Sequence, residues 1–196
     1  MKKSTLLNAL LNHKGLAYTS SKPGRTKLLS AFAINQGKIL LLDMPGYGHA
    51  SREEWGTQVM KYITSRKQFV FRVVVGAGRP KLLTSIRKIR FRRAFVLIDA
   101  KHGPKSSDLM LLERLGREGV SYQILLSKID KLSPFNGDLE RAFLDTKYLM
   151  ETGLGGVSGL GEVLGVAGDP AKKGPKIGIN DLRWSIMVAC GLGGAK

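Results

Sequence analysis

The sequence is short of the residues that build cross-linked or membrane-spanning proteins. Its one cysteine, Cys190, excludes an internal disulfide and a cysteine-based zinc site. Cys190 stands in an apolar helical stretch, where we expect a buried small hydrophobe. Aromatic residues make up only 7% of the chain, and no apolar run reaches the length of a membrane span. The first residues also lack the apolar core of a signal peptide, so we expect neither a disulfide framework nor a membrane span.

Acidic residues are scarce and unevenly distributed. The chain has 32 Lys+Arg against 15 Asp+Glu, a net charge of +17 and a pI near 10.2. No acid occurs before Asp43 or between Glu54 and Asp99. A balance this basic favours polyanionic partners, nucleic acid above all. With 43% hydrophobic residues among 196, the chain can bury one sizeable core, and we expect a single domain over residues 1–196.

Apolar runs of strand length alternate with segments of helical periodicity. This alternation predicts an α/β fold with a mostly parallel sheet in three layers. The predicted strands are Leu28–Ile34, Lys38–Leu42, Ala94–Asp99, Tyr122–Leu126 and Val163–Ala167, the first two forming a hairpin. The predicted helices are residues 4–13, 51–63, 107–118, 139–150 and 180–190, with Asn180 as the N-cap of the last. Residues 69–90 interrupt the pattern as an insertion, and residues 152–178 are irregular and rich in Gly, Lys and Pro.

Four polar motifs suggest chemistry, although each alone also fits an ordinary turn. In chain order they are Lys3-Ser4, Thr26, Asp43-x-x-Gly46 and Ser127-x-x-Asp130. A nucleoside triphosphate site needs a Lys for the β- and γ-phosphates, hydroxyls and a carboxylate near Mg²⁺, and a glycine N–H for the terminal phosphate. Asp130 could accept two N–H bonds from a guanine edge, which adenine cannot supply. The order and spacing of the four motifs together favour such a site.

Several of these strings resemble those of one GTPase family. They are Pro23-Gly24-Arg25-Thr26, Asp43-Met-Pro-Gly-Tyr-Gly48, Asp99-Ala-Lys-His-Gly-Pro-Lys105 and Ser127-Lys128-Ile129-Asp130. They are similar to the EngB-type GTPases, particularly the fungal, organelle-type members. The resemblance implies a Ras-like P-loop domain that binds GTP or GDP with Mg²⁺ and assists assembly of the large ribosomal subunit. It also leads us to expect a monomer, ribosomal RNA or the large subunit as partner, and a mitochondrial location.

The resemblance also assigns residues to the nucleotide site by match of motif. Lys128 and Asp130 would hold the guanine, and Ser4, Thr26 and Asp43 would be the Mg²⁺ ligands. No catalytic residue is assigned, because Tyr47 stands where Ras-like enzymes keep a water-orienting Gln. The nucleotide contacts implied are Lys3, Ser4, Gly24, Arg25, Thr26, Asp43, Met44, Pro45, Gly46, Ser127, Lys128, Ile129, Asp130, Val166, Ala167 and Gly168.

The chain departs from the family pattern in three places. Of Gly-x-x-x-x-Gly-Lys-Ser only Lys3-Ser4 is present, so we expect the first strand and most of the P-loop to be missing and GTP to bind poorly. Residues 69–90 are either an rRNA-binding arm or translated non-coding sequence. Val166-Ala167-Gly168 stands where the family usually has Ser-Ala or Ser-Ser. Two alternatives therefore stay open, namely a basic RNA-binding remnant and a truncated gene product that binds no nucleotide.

Overall fold

The computed structural model describes seven parts of the chain. They are residues 3–13, 30–34, 39–43, 92–133, 135–152, 161–168 and 176–193. The chain divides into two compact units, residues 1–21 with 93–196 and residues 22–92. The predicted helix at 51–63, the insertion at 69–90 and the loop that carries Thr26 lie outside the described residues.

Residues 22–92 contribute a β-hairpin to the described structure. Strand β1 (Ser30–Ile34) pairs antiparallel with strand β2 (Ile39–Asp43), with Ser30 opposite Asp43 and Ile34 opposite Ile39. Along β2 the buried residues alternate with half-buried ones, so one face of the strand is covered more completely than the other. The hairpin prediction is confirmed over Ser30–Ile34 and Ile39–Asp43.

The other unit contains a parallel sheet of three strands. They are β3 (Ala94–Asp99), β4 (Tyr122–Ser127) and β5 (Leu164–Val166), and β4 lies in the middle. Every residue of β4 is buried, as expected for a central strand covered on both faces. The three predicted strands are thus confirmed to within one residue at each end, and the α/β class with them. The single domain over residues 1–196 stays a prediction.

Four α-helices lie among the described residues. They are α1 (Lys3–Leu10), α2 (Ser106–Arg117), α3 (Asp138–Glu151) and α4 (Ile179–Ala189), and a 3-10 turn covers Ile129–Lys131. Helix α2 ends one residue before the predicted end at Glu118, and Gly119, with φ 65°, lets the chain turn back as expected. The N–H of Gly119 donates to Gly116 O at 2.9 Å, and that of Val120 to Leu115 O at 2.8 Å. This pair of bonds satisfies carbonyls that a helix end leaves open.

Helix α1 is held against α4 by one arginine. The Arg183 guanidinium donates to Leu10 O at 3.0 and 3.1 Å and to Ala9 O at 3.0 Å. Both acceptors are carbonyls of the last turn of α1, which have no partner within the helix. A cation there also interacts favourably with the helix dipole. Arg183 therefore fixes the C-terminal end of α1, the helix whose first residues are Lys3 and Ser4.

Two details of α4 differ from the prediction. The expected N-cap, Asn180, is wrong: the helix begins at Ile179 and its N-cap is Gly178, with φ 69°. A Cβ on Gly178 would lie 1.9 Å from Gly165 O, so a close backbone approach, rather than a side-chain cap, sets this end. Asn180 instead accepts a bond from Arg183 Nη1 at 2.9 Å. Cys190 is the C-cap and only half-buried, so it is less enclosed than expected.

Candidate functional site

The carboxyl ends of the three parallel strands meet at one edge of the sheet. Asp99 lies opposite Ser127, and Ser127 lies opposite Val166, so the last residues of β3, β4 and β5 stand side by side. The segments that follow them therefore leave the sheet next to one another. We call this region the carboxyl edge. In open α/β sheets such an edge is the usual place for a ligand.

Lys128 is the first residue beyond β4 and has an unusual backbone. Its φ of 63° and ψ of 31° are left-handed, a backbone conformation that residues other than Gly, Asn and Asp rarely adopt. Two backbone bonds hold it there: its N–H donates to Val166 O at 3.1 Å, and its carbonyl accepts from Lys131 N–H at 3.0 Å. The Lys128 ammonium in turn donates to Asp99 Oδ2. Lys128 thus joins all three strand ends.

Asp99 is surrounded by donors. Its Oδ1 accepts from the Lys101 N–H at 3.1 Å, and its Oδ2 lies 3.3 Å from His102 Nδ1 as well as against Lys128. Partial burial would by itself raise the pKa of this carboxyl. The hydrogen bonds from Lys128, Lys101 and His102 and the charge of Lys128 outweigh burial, and the pKa of Asp99 is lowered below its ordinary value of 3.8. Asp99 is therefore a carboxylate at neutral pH.

Asp130 differs from Asp99 in its surroundings. It lies in the 3-10 turn, is exposed, and makes no hydrogen bond or ion pair with any residue in the part of the chain described. Its two oxygens are consequently available to donors from outside. Ser127, by contrast, is buried and hydrogen-bonded: it is 4% exposed, and its hydroxyl donates to Ile98 O at 3.1 Å. The Ser127 side chain thus links β4 to β3 within the sheet.

Ile129 anchors the 3-10 turn that carries Asp130 to strand β5. The space where a Cβ of Gly165 would stand is bounded by Phe143 Cζ at 2.8 Å and Ile129 Cδ1 at 2.9 Å. Ile129 and Phe143 therefore pack onto the backbone of β5 at its one glycine. A larger residue at 165 would push against the turn that carries Asp130.

The segment after β5 completes the carboxyl edge. Val166 and Ala167 are fully buried, and Ala167 exchanges two backbone hydrogen bonds with Ile177, at 3.0 and 3.1 Å. Gly168 follows with φ 115°, a value that only glycine adopts without strain. The Ala167 N–H is thus engaged by Ile177, and Gly168 is the next residue of this segment.

The predicted site residues fall into three groups. Ser127–Asp130 and Val166–Gly168 come together at the carboxyl edge. Asp99 lies beside them, although the motifs predict no nucleotide contact for it. Lys3 and Ser4, both half-buried, begin α1 in the same unit, while Asp43 ends β2 in the other unit and is 4% exposed. Gly24, Arg25, Thr26, Met44, Pro45 and Gly46 lie outside the described residues.

Neither a metal-binding cluster nor a membrane-spanning helix occurs in the part of the chain that the structure describes. No group of three or more His, Cys, Asp or Glu residues among them is arranged to hold a metal ion. None of the helices described is long and apolar enough to cross a membrane.

Comparison with known proteins identifies sequence relatives. The profile of a family described as 50S ribosome-binding GTPase matches residues 3–128. The chain is 38% identical over 143 residues to a probable GTP-binding protein EngB of Mesorhizobium japonicum, covering 66% of this chain and 57% of the relative. It is 40% identical over 136 residues to the Caulobacter vibrioides protein of the same name, covering 69% and 52%. The chain thus spans little more than half the length of these relatives.

One solved structure supports the fold. Translation elongation factor SelB from Methanococcus maripaludis, in complex with the GTP analogue GppNHp, aligns with 99% of this chain and 32% of its own. The TM-score is 0.54 at 18% sequence identity, which bears on the fold alone. Together with the family match over residues 3–128, it supports an α/β GTPase fold for this sequence. The chain therefore belongs to the 50S ribosome-binding GTPase family, as its resemblance to the EngB-type GTPases predicted.

Proposed function

We propose that this chain is a guanine-nucleotide-binding switch that acts with Mg²⁺ in the assembly of the large ribosomal subunit. The observation that carries the proposal is the carboxyl edge, where Ser127–Asp130 and Val166–Gly168 converge and Asp130 is exposed. A GTPase family and a strand-end carboxylate with two unoccupied oxygens point to the same ligand. That ligand is GTP or GDP.

The guanine would be recognised by Asp130 and held by Lys128. Guanine presents two N–H donors on one edge, and the Asp130 carboxylate can accept both. Adenine cannot supply this pair, so its binding would leave the carboxylate without partners. The Lys128 side chain would form one wall of the base pocket. A contact from the segment after β5 would come from Gly168, because the Ala167 N–H is engaged with Ile177.

The phosphates would lie at the start of α1. Lys3 supplies a cation and Ser4 a hydroxyl at a helix N-terminus, where phosphate groups are favoured. The motif match assigns Ser4, Thr26 and Asp43 to Mg²⁺, and their hydroxyl and carboxylate oxygens are donors of the type that this ion prefers. When bound, Mg²⁺ would neutralise charge on the β- and γ-phosphates. Tyr47 has no amide to orient water, so hydrolysis would be slow without a partner.

The ribosomal role follows from the family and the charge. The net charge of +17 suits ribosomal RNA, and the matching family is described as ribosome-binding. We propose a monomer that acts on the large subunit, with mitochondria as the compartment. The second candidate is a basic RNA-binding protein without nucleotide binding, which the same charge favours. Nucleotide binding separates the two candidates.

Displacement of a fluorescent GDP analogue tests the proposal. Residues 1–196 would be titrated with the analogue and Mg²⁺ up to millimolar concentrations. GTP and GDP should displace the analogue and ATP should not. Equal displacement by ATP, or no saturable binding of the analogue at all, would contradict the proposal. Retained RNA binding in the latter case would favour the second candidate.

A further inference from the structure

We propose that Asp99 is a positioning residue for Lys128, and that it orders the Lys128 side chain before guanine nucleotide binds. The inference rests on the proposed function and extends it to a residue outside the guanine motif. Asp99 lies 29 positions before Lys128 in the sequence and contacts it across the β3–β4 register. The two side chains meet at the carboxyl edge.

The surroundings of Lys128 hold its backbone and the end of its side chain separately. The left-handed backbone of Lys128 gives its side chain a different direction from the one it would have if strand β4 continued through this residue. The two backbone hydrogen bonds to Val166 and Lys131 fix the main chain but leave the four-carbon side chain with its rotamers. The contact with Asp99 fixes the far end of that side chain. With both ends held, the rotamers open to the aliphatic part between them are restricted.

Stabilisation of the fold is a weaker explanation for the pair. The Lys128 and Asp99 side chains are 32% and 21% exposed, and ion pairs with this access to water contribute little to stability. Ordering a lysine in advance, however, removes a cost that binding would otherwise carry. Asp99 is itself held by the Lys101 N–H, so its carboxylate is a fixed point rather than a mobile one. The geometry therefore favours positioning of Lys128 over a contribution to folding.

A double-mutant cycle with GDP tests the inference. Asp99→Ala in the full chain should weaken GDP binding about threefold to tenfold, the cost of one disordered lysine side chain. In a Lys128→Met background, which keeps the aliphatic chain but removes the ammonium, Asp99→Ala should have no further effect. Glu113→Ala is the matched control, because it removes a carboxylate that pairs with Arg117 at 2.6 Å on α2. That variant should bind GDP like the unmodified chain.

A measurement without ligand separates this inference from the proposed function. Carbon-13 relaxation of the Lys128 side-chain methylenes in the nucleotide-free protein should report more rapid motion in Asp99→Ala than in the unmodified chain. In Glu113→Ala the motion should be unchanged. Unchanged Lys128 motion, unchanged GDP affinity in Asp99→Ala, or equal losses in both backgrounds of the cycle would each overturn the inference. A chain that binds no GDP would overturn the proposed function, while the relaxation data would still decide whether Asp99 orders Lys128.

Discussion

Two strands in the part of the chain that the structure describes end in an aspartate, β2 in Asp43 and β3 in Asp99, but their surroundings differ. Asp43 lies in an antiparallel hairpin, opposite Ser30, the residue where β1 begins. Asp99 lies in a parallel sheet, opposite the final residue of β4. Parallel pairing places the carboxyl ends of neighbouring strands side by side, whereas antiparallel pairing places a carboxyl end beside an amino end. Of the two sheets described, only the parallel one therefore gathers several carboxyl ends of strands at one edge.

The two regions should differ first in their resistance to opening. Strand β4 is paired on both sides and fully buried, whereas β2 is paired with β1 alone among the described residues. A two-stranded hairpin is marginally stable by itself. We expect β4 amides to exchange with solvent at least about 100-fold more slowly than those of β1 and β2. Native-state hydrogen exchange measures this, and equal protection of both regions would remove the distinction.

Among the glycines that the structure describes in the parallel unit, Gly178 should be the most sensitive to substitution. A Cβ at this position would lie 1.9 Å from Gly165 O, and its φ of 69° also disfavours other residues. Gly178→Ala should therefore lower the free energy of unfolding by about 3–5 kcal/mol. Gly103 is the matched control, since its φ is 66° but no atom lies within 4 Å of the added Cβ. Denaturant unfolding should give about 1–2 kcal/mol for Gly103→Ala. Equal losses would contradict the close approach.

A smaller effect is expected at Gly165. A Cβ there would meet Phe143 Cζ at 2.8 Å and Ile129 Cδ1 at 2.9 Å, both ends of side chains that can move. Gly165→Ala should cost about 1–2 kcal/mol of unfolding free energy. Adding Ile129→Val, which removes Cδ1, should recover part of that loss. Thermal and denaturant unfolding of the two single variants and the double variant would check this, and strictly additive losses would speak against the contact.

The pH dependence of stability should show the smallest effect. The pKa of Asp99 is lower in the folded protein than its ordinary value of 3.8, so the unfolded state binds this proton more tightly. The resulting stabilisation is present above about pH 4 and lost as pH falls through the folded-state pKa. Because the pair is partly exposed, we expect roughly 1 kcal/mol or less. Asp99→Asn should remove this part of the acid-side slope in unfolding experiments, and an unchanged slope would contradict it.

The sequence predicted the framework of the parallel unit well. The bounds of Ala94–Asp99 are predicted residue for residue, because an apolar run of only six residues ended by an acid favours a strand over a helix. The Asp99–Lys128 contact could not be predicted, since the two residues lie 29 positions apart and only the strand register joins them. Asn180 was misassigned as an N-cap because the sequence does not reveal the approach of Gly178 to Gly165. Local sequence signals predict the helices and strands, whereas contacts between distant segments determine the Asp99–Lys128 pair and the start of α4.

The motif predictions divide in the same way. Ser127–Asp130 and Val166–Gly168 were predicted from separate stretches, and the parallel register brings them together. Ser127 illustrates what the pattern could not reveal, since its hydroxyl is bonded to Ile98 O inside the sheet. Side-chain direction at a strand end depends on the register with the neighbour. Roles for Lys3, Ser4, Thr26 and Asp43 stay predictions.

The most direct test of the guanine site is a change of base preference through Asp130→Asn. Xanthine offers an acceptor where guanine offers a donor, so the variant should bind xanthosine diphosphate better than the unmodified chain does. Its GDP affinity should fall by about 100-fold or more, since Asn replaces one acceptor oxygen with an NH₂ donor and removes the charge from the remaining hydrogen bond. Asp145→Asn, an exposed carboxylate of α3, is the matched control and should change neither affinity. A GDP affinity unchanged by Asp130→Asn would contradict a guanine site at the carboxyl edge.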